Sequence, residues 1–208
     1  MPAPQKVSQP QILAAALKLL ERNGRDGFTM SDVAAAVGVR APSLYGHFTD
    51  RAGLLEELEQ SLWSELGKAL ARCVIEHQPI ETIKAQAKAY RRFATQYRNG
   101  YALMYDVRSR HTRRGVRARA EAVASTLSVL TMLVGRSRAL VAARVLTPYL
   151  HGFVSMENSA AFRLAPGVDA AFEYGIDTIL RGLIAEPPAT SGGKRQPRRR
   201  KTLAQSGK

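Results

Sequence analysis

Apolar residues recur every three or four positions from residue 10 to residue 186, which is the spacing of α-helices. A first helix has one apolar face and ends at Asn23-Gly24, a common helix stop. That face is formed by Ile12, Leu13, Ala16, Leu17 and Leu20. No stretch alternates apolar and polar residues as a half-buried strand does. The pattern therefore predicts an all-α protein.

The second predicted helix is short and carries its own start and stop signals. Thr29 and Asp32 stand three apart, the spacing of an N-cap hydroxyl and a first-turn carboxylate. Val33 and Val37 form an apolar stripe. Gly38 follows where the helix must end in a left-handed conformation, which glycine adopts without steric cost.

A third helix follows a tight turn, because Pro42 suits the first turn of a helix, where its missing N–H costs nothing. Leu44 and Phe48 are four residues apart and should pack inward together. Two short helices joined by a tight turn place the second helix in the major groove of DNA. The residues left facing outward are Arg40, Ala41, Ser43, Tyr45, Gly46 and His47.

Longer helices are predicted for the remainder of the chain. One begins after Thr49 as N-cap and ends before Pro79, and the next is broken at Asn99-Gly100. That second helix should cover residues 80–97. The expected ranges of the later helices are 101–107, 121–134, 138–164 with a bend at Pro148 and Gly152, and 168–185. We expect residues 1–53 to form a DNA-binding domain and residues 54–186 a second helical domain.

The charge of the chain indicates an anionic partner, since 208 residues carry a formal net charge of +14. The first fifty residues are nearly neutral, and the positive charge is concentrated further on. Residues 194–201 (KRQPRRRK) lie in a tail, 187–208, that has too few apolar residues to fold, so we expect it to be disordered. That tail is either a basic arm on DNA phosphates or a solubilising extension.

A second basic cluster lies between residues 108 and 119, around Gly115. The pattern predicts a loop and an exposed helix start there. Arginine at a helix start opposes the helix dipole, so helix stability does not explain the cluster. It is either a solvated surface or an auxiliary contact to phosphates. Its members are Arg108, Arg110, Arg113, Arg114, Arg117 and Arg119.

The segment from residue 29 to residue 55 resembles the DNA-binding segment of the TetR family of bacterial transcriptional regulators. The matching pieces are residues 29–34 (TMSDVA), 37–39 (VGV), 44–48 (LYGHF) and 51–55 (RAGLL). The resemblance implies that the DNA-binding residues are Thr29, Arg40, Ala41, Pro42, Ser43, Tyr45, Gly46, His47 and Arg51. We expect Arg40 and Ser43 nearest the base edges and Tyr45 and His47 at the phosphates.

The C-terminal half resembles a TetR subgroup named for a Trp…His-Gly signature, through residues 149–157 (YLHGFVSME) and 172–177 (FEYGID). The tryptophan is missing, and Thr147 stands at its place. The resemblance implies a domain that dimerises and binds a small-molecule effector. The candidate ligand-binding residues are Tyr97, Tyr101, Met104, Met132, Tyr149, His151 and Met156.

We expect a homodimer joined through the last two helices, because their apolar stripes are too wide for the core of one domain. The first stripe is Leu140, Val141, Val145, Phe153 and Phe162. The second is Phe172, Ile176, Ile179, Leu180, Leu183 and Ile184.

We expect a largely apolar effector. An acidic one would need an arginine at the cavity, and Arg92 and Arg144 are the candidates. His151 should be buried and paired with a backbone carbonyl.

Other functions have weaker support in the sequence. No phosphate-binding glycine loop, nucleophile elbow or metal-ligand spacing among the four histidines is present, so we expect no enzyme, cofactor or metal. The single Cys73 suits a reducing compartment, and no apolar run looks long enough to span a bilayer, which indicates a cytoplasmic protein. The leading function is a repressor on an inverted-repeat operator, released by a small molecule. The alternative is a basic architectural DNA-binding protein without an effector.

Overall fold

The computed structural model describes residues 7–106, 112–164 and 167–185, and the described residues form helices without strands. The N-terminal part contains α1 (Gln9–Asn23), α2 (Met30–Ala36) and a short 3-10 helix (Ala41–Gly46), here called the recognition segment. The all-α prediction, the stop of α1 at Asn23 and the two short helices are confirmed. The predicted tail and the arginines at 108 and 110 lie outside the described residues.

The chain continues through seven further helices among the described residues. These are α3 (Arg51–Ala71), α4 (Pro79–Gln96), α5 (Arg98–Met104), α6 (Arg113–Ala122), α7 (Ala124–Val134) and α8 (Arg136–Asn158), followed by α9 (Val168–Ala185). One continuous core joins them to the N-terminal helices. The division into domains at residue 53 stays a prediction.

Two helix boundaries differ from the prediction for local reasons. Asp50, not Thr49, caps α3, and its carboxylate accepts from the backbone N–H of Gly53 at 2.7 Å. The break after α4 lies at Tyr97, and α5 continues through Asn99 and Gly100. The carboxylate of Glu21 in α1 accepts from the N–H groups of both residues, at 3.2 Å and 2.7 Å, and so holds this helix start in place.

Residues 108–119 were predicted as a loop and an exposed helix start; the exposed helix start is confirmed at Arg113, but the loop is wrong from that residue on, because residues 113–122 form α6. Thr112 caps this helix by accepting from the N–H of Gly115 at 3.1 Å. Three of its arginines, Arg114, Arg117 and Arg119, pair with acids of α3 or of α6 itself, as described below. A close contact to α3 supports it further, since a β-carbon on Gly67 would lie 2.8 Å from the Cα of Ala122.

Helix α8 is shorter than predicted and ends at Asn158. Ala160 adopts φ +53°. The backbone N–H of Ala160 donates to the carbonyl of Glu157 at 3.0 Å, and that of Ala161 donates to the carbonyl of Met156 at 2.9 Å. This is the left-handed helix stop that glycine usually provides.

The expectation that no apolar run could span a bilayer was wrong by length and composition. Among the described helices, only α8 is long and apolar enough to cross a membrane. It has 23 residues, and the mean hydropathy of its most apolar 18-residue window is 1.2. In this fold α8 is a bundle helix, because residues on one of its faces are buried in the core. Those residues are Ala139, Ala142, Leu146, Leu150 and Val154.

Candidate functional site

The start of α2 is fixed by a reciprocal cap, as the sequence predicts. The hydroxyl of Thr29 accepts from the N–H of Asp32 at 3.2 Å, and the Asp32 carboxylate accepts from the N–H and the hydroxyl of Thr29, both at 2.7 Å. The hydrogen bond from the Thr29 hydroxyl, followed by that from its backbone, lowers the pKa of Asp32. The cap therefore stays charged and intact at neutral pH.

The turn after α2 is set by Gly38, which has φ +73° as predicted. The N–H of Val39 reaches back to the carbonyl of Ala34 at 3.0 Å and closes the turn. Arg40 is extended, Pro42 enters the first turn of the recognition segment, and that segment runs as a tight 3-10 helix. Its side chains three residues apart lie on the same face.

The recognition segment presents an exposed polar surface above an apolar anchor. Leu44 and Phe48 are buried at 0% and 4% exposure, while Tyr45 is 56% exposed. Ala41 is half-buried. The predicted DNA-binding residues that are exposed beside Tyr45 are Arg40, Pro42, Ser43, Gly46 and His47. Their placement together suits insertion into a groove, and their contacts to DNA stay predictions.

Two of the predicted DNA-binding residues already have partners inside the protein. The Thr29 hydroxyl belongs to the cap of α2. Arg51 donates from Nε to the carbonyl of Phe28 at 2.9 Å and from Nη2 to the carbonyl of Arg25, with its guanidinium carbon 4.9 Å from the centre of the Phe28 ring. The structure gives Arg51 the role of joining α3 to the loop before α2.

A second site is a partly open cavity of about 370 Å³ between α3, α4, α6, α7 and α8, here called the central cavity. Its walls are mostly aliphatic and aromatic. The lining residues are Trp63, Leu66, Leu70, Ile83, Gln86, Ala87, Tyr90, Tyr105, Arg119, Ala120, Val123, Thr126, Leu127, Leu140, Ala143, Leu146, Thr147 and Leu150. Its size and apolar lining are those of a site for a small organic ligand.

The seven predicted ligand-binding residues are not brought together, and none lines the central cavity. Tyr101 and His151 line a more open groove of about 640 Å³ beside α5. Met104 is fully buried in the core, Tyr97 packs on Phe93, and Tyr149 packs on Phe172. Met132 and Met156 are 65% and 48% exposed. Their role in ligand binding stays a prediction.

The cavity residues that the sequence interpretation missed had a weak signal. Gln86 interrupts the apolar stripe of α4 formed by Ile83, Ala87 and Tyr90, and a polar side chain at such a position points inward. Arg92 and Arg144, the predicted anchors for an acid, are exposed. The arginine at the cavity is Arg119.

A hydroxyl network separates the central cavity from the groove beside α5. The Tyr90 hydroxyl lies 2.7 Å from that of Tyr101 and 2.9 Å from that of Tyr105, and the Tyr101 hydroxyl lies 2.6 Å from Nδ1 of His151. Burial raises the pKa of each tyrosine and lowers that of His151, so all four groups are neutral near pH 7. His151 is half-buried and paired with a tyrosine hydroxyl, so the expected buried histidine with a carbonyl partner was wrong.

Ion pairs account for several arginines of the basic cluster. Arg114 pairs with Glu57 at 2.5 Å and Arg119 with Glu59 at 2.8 Å, both acids of α3. Arg117 pairs with Glu121 on α6 itself. The pairs Arg114–Glu57 and Arg119–Glu59 attach α6, one wall of the central cavity, to the N-terminal half of α3. They give Arg119 an internal role, whereas the side chains of Arg114 and Arg117 are 71% and 81% exposed, and a contact of these two to phosphates stays a prediction.

An exposed helix-turn-helix surface joined by α3 to an apolar cavity defines a DNA-binding regulator with a ligand site. Two family models match the chain. Residues 12–58 match bacterial regulatory proteins of the tetR family, and residues 83–179 match the tetracyclin repressor-like C-terminal domain. The chain therefore belongs to the TetR family, and it is a ligand-responsive DNA-binding transcriptional regulator. Membership in the Trp-His-Gly subgroup stays a prediction.

Individual relatives agree with this assignment. The chain is 25% identical over 179 residues to the uncharacterized HTH-type transcriptional regulator YobS of Bacillus subtilis, covering 86% of this chain and 93% of that one. A protein of unknown function from Rhodococcus sp. RHA1 has a similar structure, with a TM-score of 0.76, 28% identity, and coverage of 88% and 100%. A single-substitution variant of TetR from Acinetobacter baumannii AYE, solved in complex with minocycline, gives a TM-score of 0.63, 27% identity, and coverage of 85% and 96%.

Proposed function

We propose that the protein is a cytoplasmic homodimer that occupies an inverted-repeat operator, represses the adjacent promoter, and is released by an apolar small molecule in the central cavity. The observation that carries this proposal is the course of α3. This helix begins five residues after the recognition segment, and Trp63, Leu66 and Leu70 near its other end line the cavity. One helix thus lines the cavity and begins next to the recognition segment.

Exposed apolar side chains on α8 and α9 support the dimer. Val141 and Val145 are 59% and 46% exposed, and Ile184 is 46% exposed. Val141, Val145 and the half-buried Ile179 line a shallow depression between the two helices. By contrast, Phe172, Ile176, Leu180 and Leu183 are buried in their own protomer. The exposed subset is therefore the candidate interface, because two copies meeting there would remove it from water.

Release follows from the attachments between the cavity walls and the N-terminal helices. A ligand that displaces α6 also moves α3, through Arg114–Glu57 and Arg119–Glu59. On the other side, Tyr105 lines the cavity, and its neighbour Asp106 pairs with Arg25 between α1 and α2 at 2.9 Å. A ligand that fits only one arrangement of these helices shifts the dimer away from the spacing that matches two successive grooves.

The deciding experiment selects bound sequences from random DNA with the full chain and then measures binding at rising salt. We expect a palindromic consensus, bound at least about a thousandfold more tightly than random DNA. Tyr45→Phe should weaken both kinds of complex alike, since we place Tyr45 at a phosphate. An architectural protein would instead yield no consensus, and this outcome would overturn the proposal.

A further inference from the structure

Three residues that line the central cavity each carry a buried polar side-chain atom without a hydrogen-bond partner. Among the described residues, six buried side-chain nitrogen or oxygen atoms have no hydrogen-bond partner. Three of the six belong to residues that line this cavity, namely Oε1 of Gln86, Nε of Arg119 and Oγ1 of Thr126. Buried polar groups in folded proteins are nearly always paired, so this concentration at one cavity indicates polar groups reserved for a ligand.

The orientation of Gln86 determines what its free atom can accept. This side chain is 2% exposed, and its amide nitrogen donates to the carbonyl of Leu70 at 3.1 Å and to the hydroxyl of Ser125 at 3.4 Å. A carbonyl can only accept, so the amide nitrogen must face Leu70 and the amide oxygen must face away from it. Oε1 of Gln86 is therefore an acceptor that needs an N–H or O–H donor from the ligand.

Arg119 offers a hydrogen-bond donor, and its positive charge is already paired with a carboxylate. Its Nη2 donates to the buried carboxylate of Glu59 at 2.8 Å and to the carbonyl of Met104 at 3.2 Å. Trp63 lies beneath the guanidinium at 5.4 Å and also donates to Glu59, at 3.3 Å. Nε of Arg119 remains as a donor. Because Glu59 already balances the guanidinium, a ligand anion would place a second negative charge on it, whereas a neutral acceptor would not.

We propose that the effector is a neutral, ring-containing molecule with a hydrogen-bond donor for Oε1 of Gln86 and an acceptor for Nε of Arg119, the pair of groups that a primary carboxamide provides. The aromatic side chains of Trp63, Tyr90 and Tyr105 in the lining suit a flat ring system, and about 370 Å³ admits two or three fused rings. The hydroxyl of Thr126 can pair with either kind of group. This inference rests on the proposed function, since it specifies the ligand of the same cavity.

Four naphthalene probes of similar size test the inference by calorimetry on the full-length protein. They are naphthalene-2-carboxamide, its N,N-dimethyl derivative, 2-naphthoate and 2-ethylnaphthalene. We expect the primary amide to bind at least about fivefold more tightly than each of the others, because only it is a neutral donor and acceptor. In Gln86→Met, the amide should lose its advantage over the dimethyl amide, while the affinity for 2-ethylnaphthalene stays the same.

The matched control is Gln96→Met, the same substitution at an exposed position of the same helix, α4, outside the central cavity. It should keep the wild-type order of affinities. If Gln86→Met does not fold, the order of the four probes on the wild-type protein decides. Tightest binding by the hydrocarbon, the dimethyl amide or the carboxylate would overturn the inference, as would no binding by any probe. The probe affinities do not bear on the selection of operator sequences from random DNA. The proposed DNA-binding function is therefore tested separately, and it fails if that selection yields no consensus.

Discussion

Gly175 in α9 lies against the side chain of Tyr149 in α8, and replacing it by alanine should reveal how tightly these helices are joined. In an ordinary helix, Gly→Ala stabilises by about 0.5–1 kcal/mol. Here the added β-carbon would lie 2.0 Å from the Tyr149 hydroxyl oxygen and 2.4 Å from its ring carbon Cζ. Both distances are far inside van der Waals contact, so the tyrosine must move.

The cost of moving Tyr149 follows from what its side chain contacts. Its hydroxyl donates to the carbonyl of Phe172 at 3.0 Å, and its ring lies 5.9 Å from that of Phe153 and 6.2 Å from that of Phe172. Losing the hydrogen bond costs about 0.5–1.5 kcal/mol, and loosening two aromatic contacts costs about as much again. After subtracting the helix gain, Gly175→Ala should lower the free energy of unfolding by roughly 1–2 kcal/mol.

A double-mutant cycle in urea separates this contact from other causes. All measurements are made at one protomer concentration, because dimerisation contributes to stability. In a Tyr149→Leu background the shorter side chain removes the collision, and Gly175→Ala should become neutral or stabilising by up to about 1 kcal/mol. If Gly175→Ala destabilises both backgrounds equally, the contact with Tyr149 is not the reason for the glycine.

Three other changes test separate parts of the molecule. Burial lowers the pKa of His151, so the native state should lose stability as the pH falls below about 6.5, and His151→Gln should show a smaller drop in melting temperature between pH 7.5 and pH 5; equal drops would refute this. Val145→Glu should produce monomers in sedimentation without unfolding, and a persistent dimer would move the interface elsewhere. Arg40→Ala should weaken operator binding by about 1–3 kcal/mol and relax one base position, whereas uniform loss on all DNA would assign Arg40 to a phosphate.

The parts of the structure that the sequence predicted well depend on neighbouring residues. The cap at Thr29, the left-handed Gly38 and the inward pair Leu44 and Phe48 each require information from only a few positions. A left-handed stop at Ala160 was missed because alanine is not a signal for that conformation.

The central cavity and α6 could not be predicted in the same way, because distant residues create them. Arg114 and Arg119 meet acids that lie 57 and 60 positions earlier in the chain. The cavity is the space left where five helices meet, so the position of Gln86 in the apolar stripe of α4 did not show that a cavity lies beside it. Aromatic and methionine residues were predicted as its lining, whereas several of them pack in the core or face solvent.

Because α3 is one continuous helix, a small tilt at one of its ends produces a larger displacement at the other. Its 21 residues span roughly 30 Å at 1.5 Å per residue, with a cavity wall near one end and the recognition segment next to the other. A tilt of about 5° at the cavity end would displace the far end by about 3 Å. In a two-fold symmetric dimer the two displacements add to about 5 Å, measured against a separation of about 34 Å between successive major grooves. A ligand that moves the cavity walls by less than the width of one atom can therefore change the distance between the two recognition segments so that they no longer match successive major grooves.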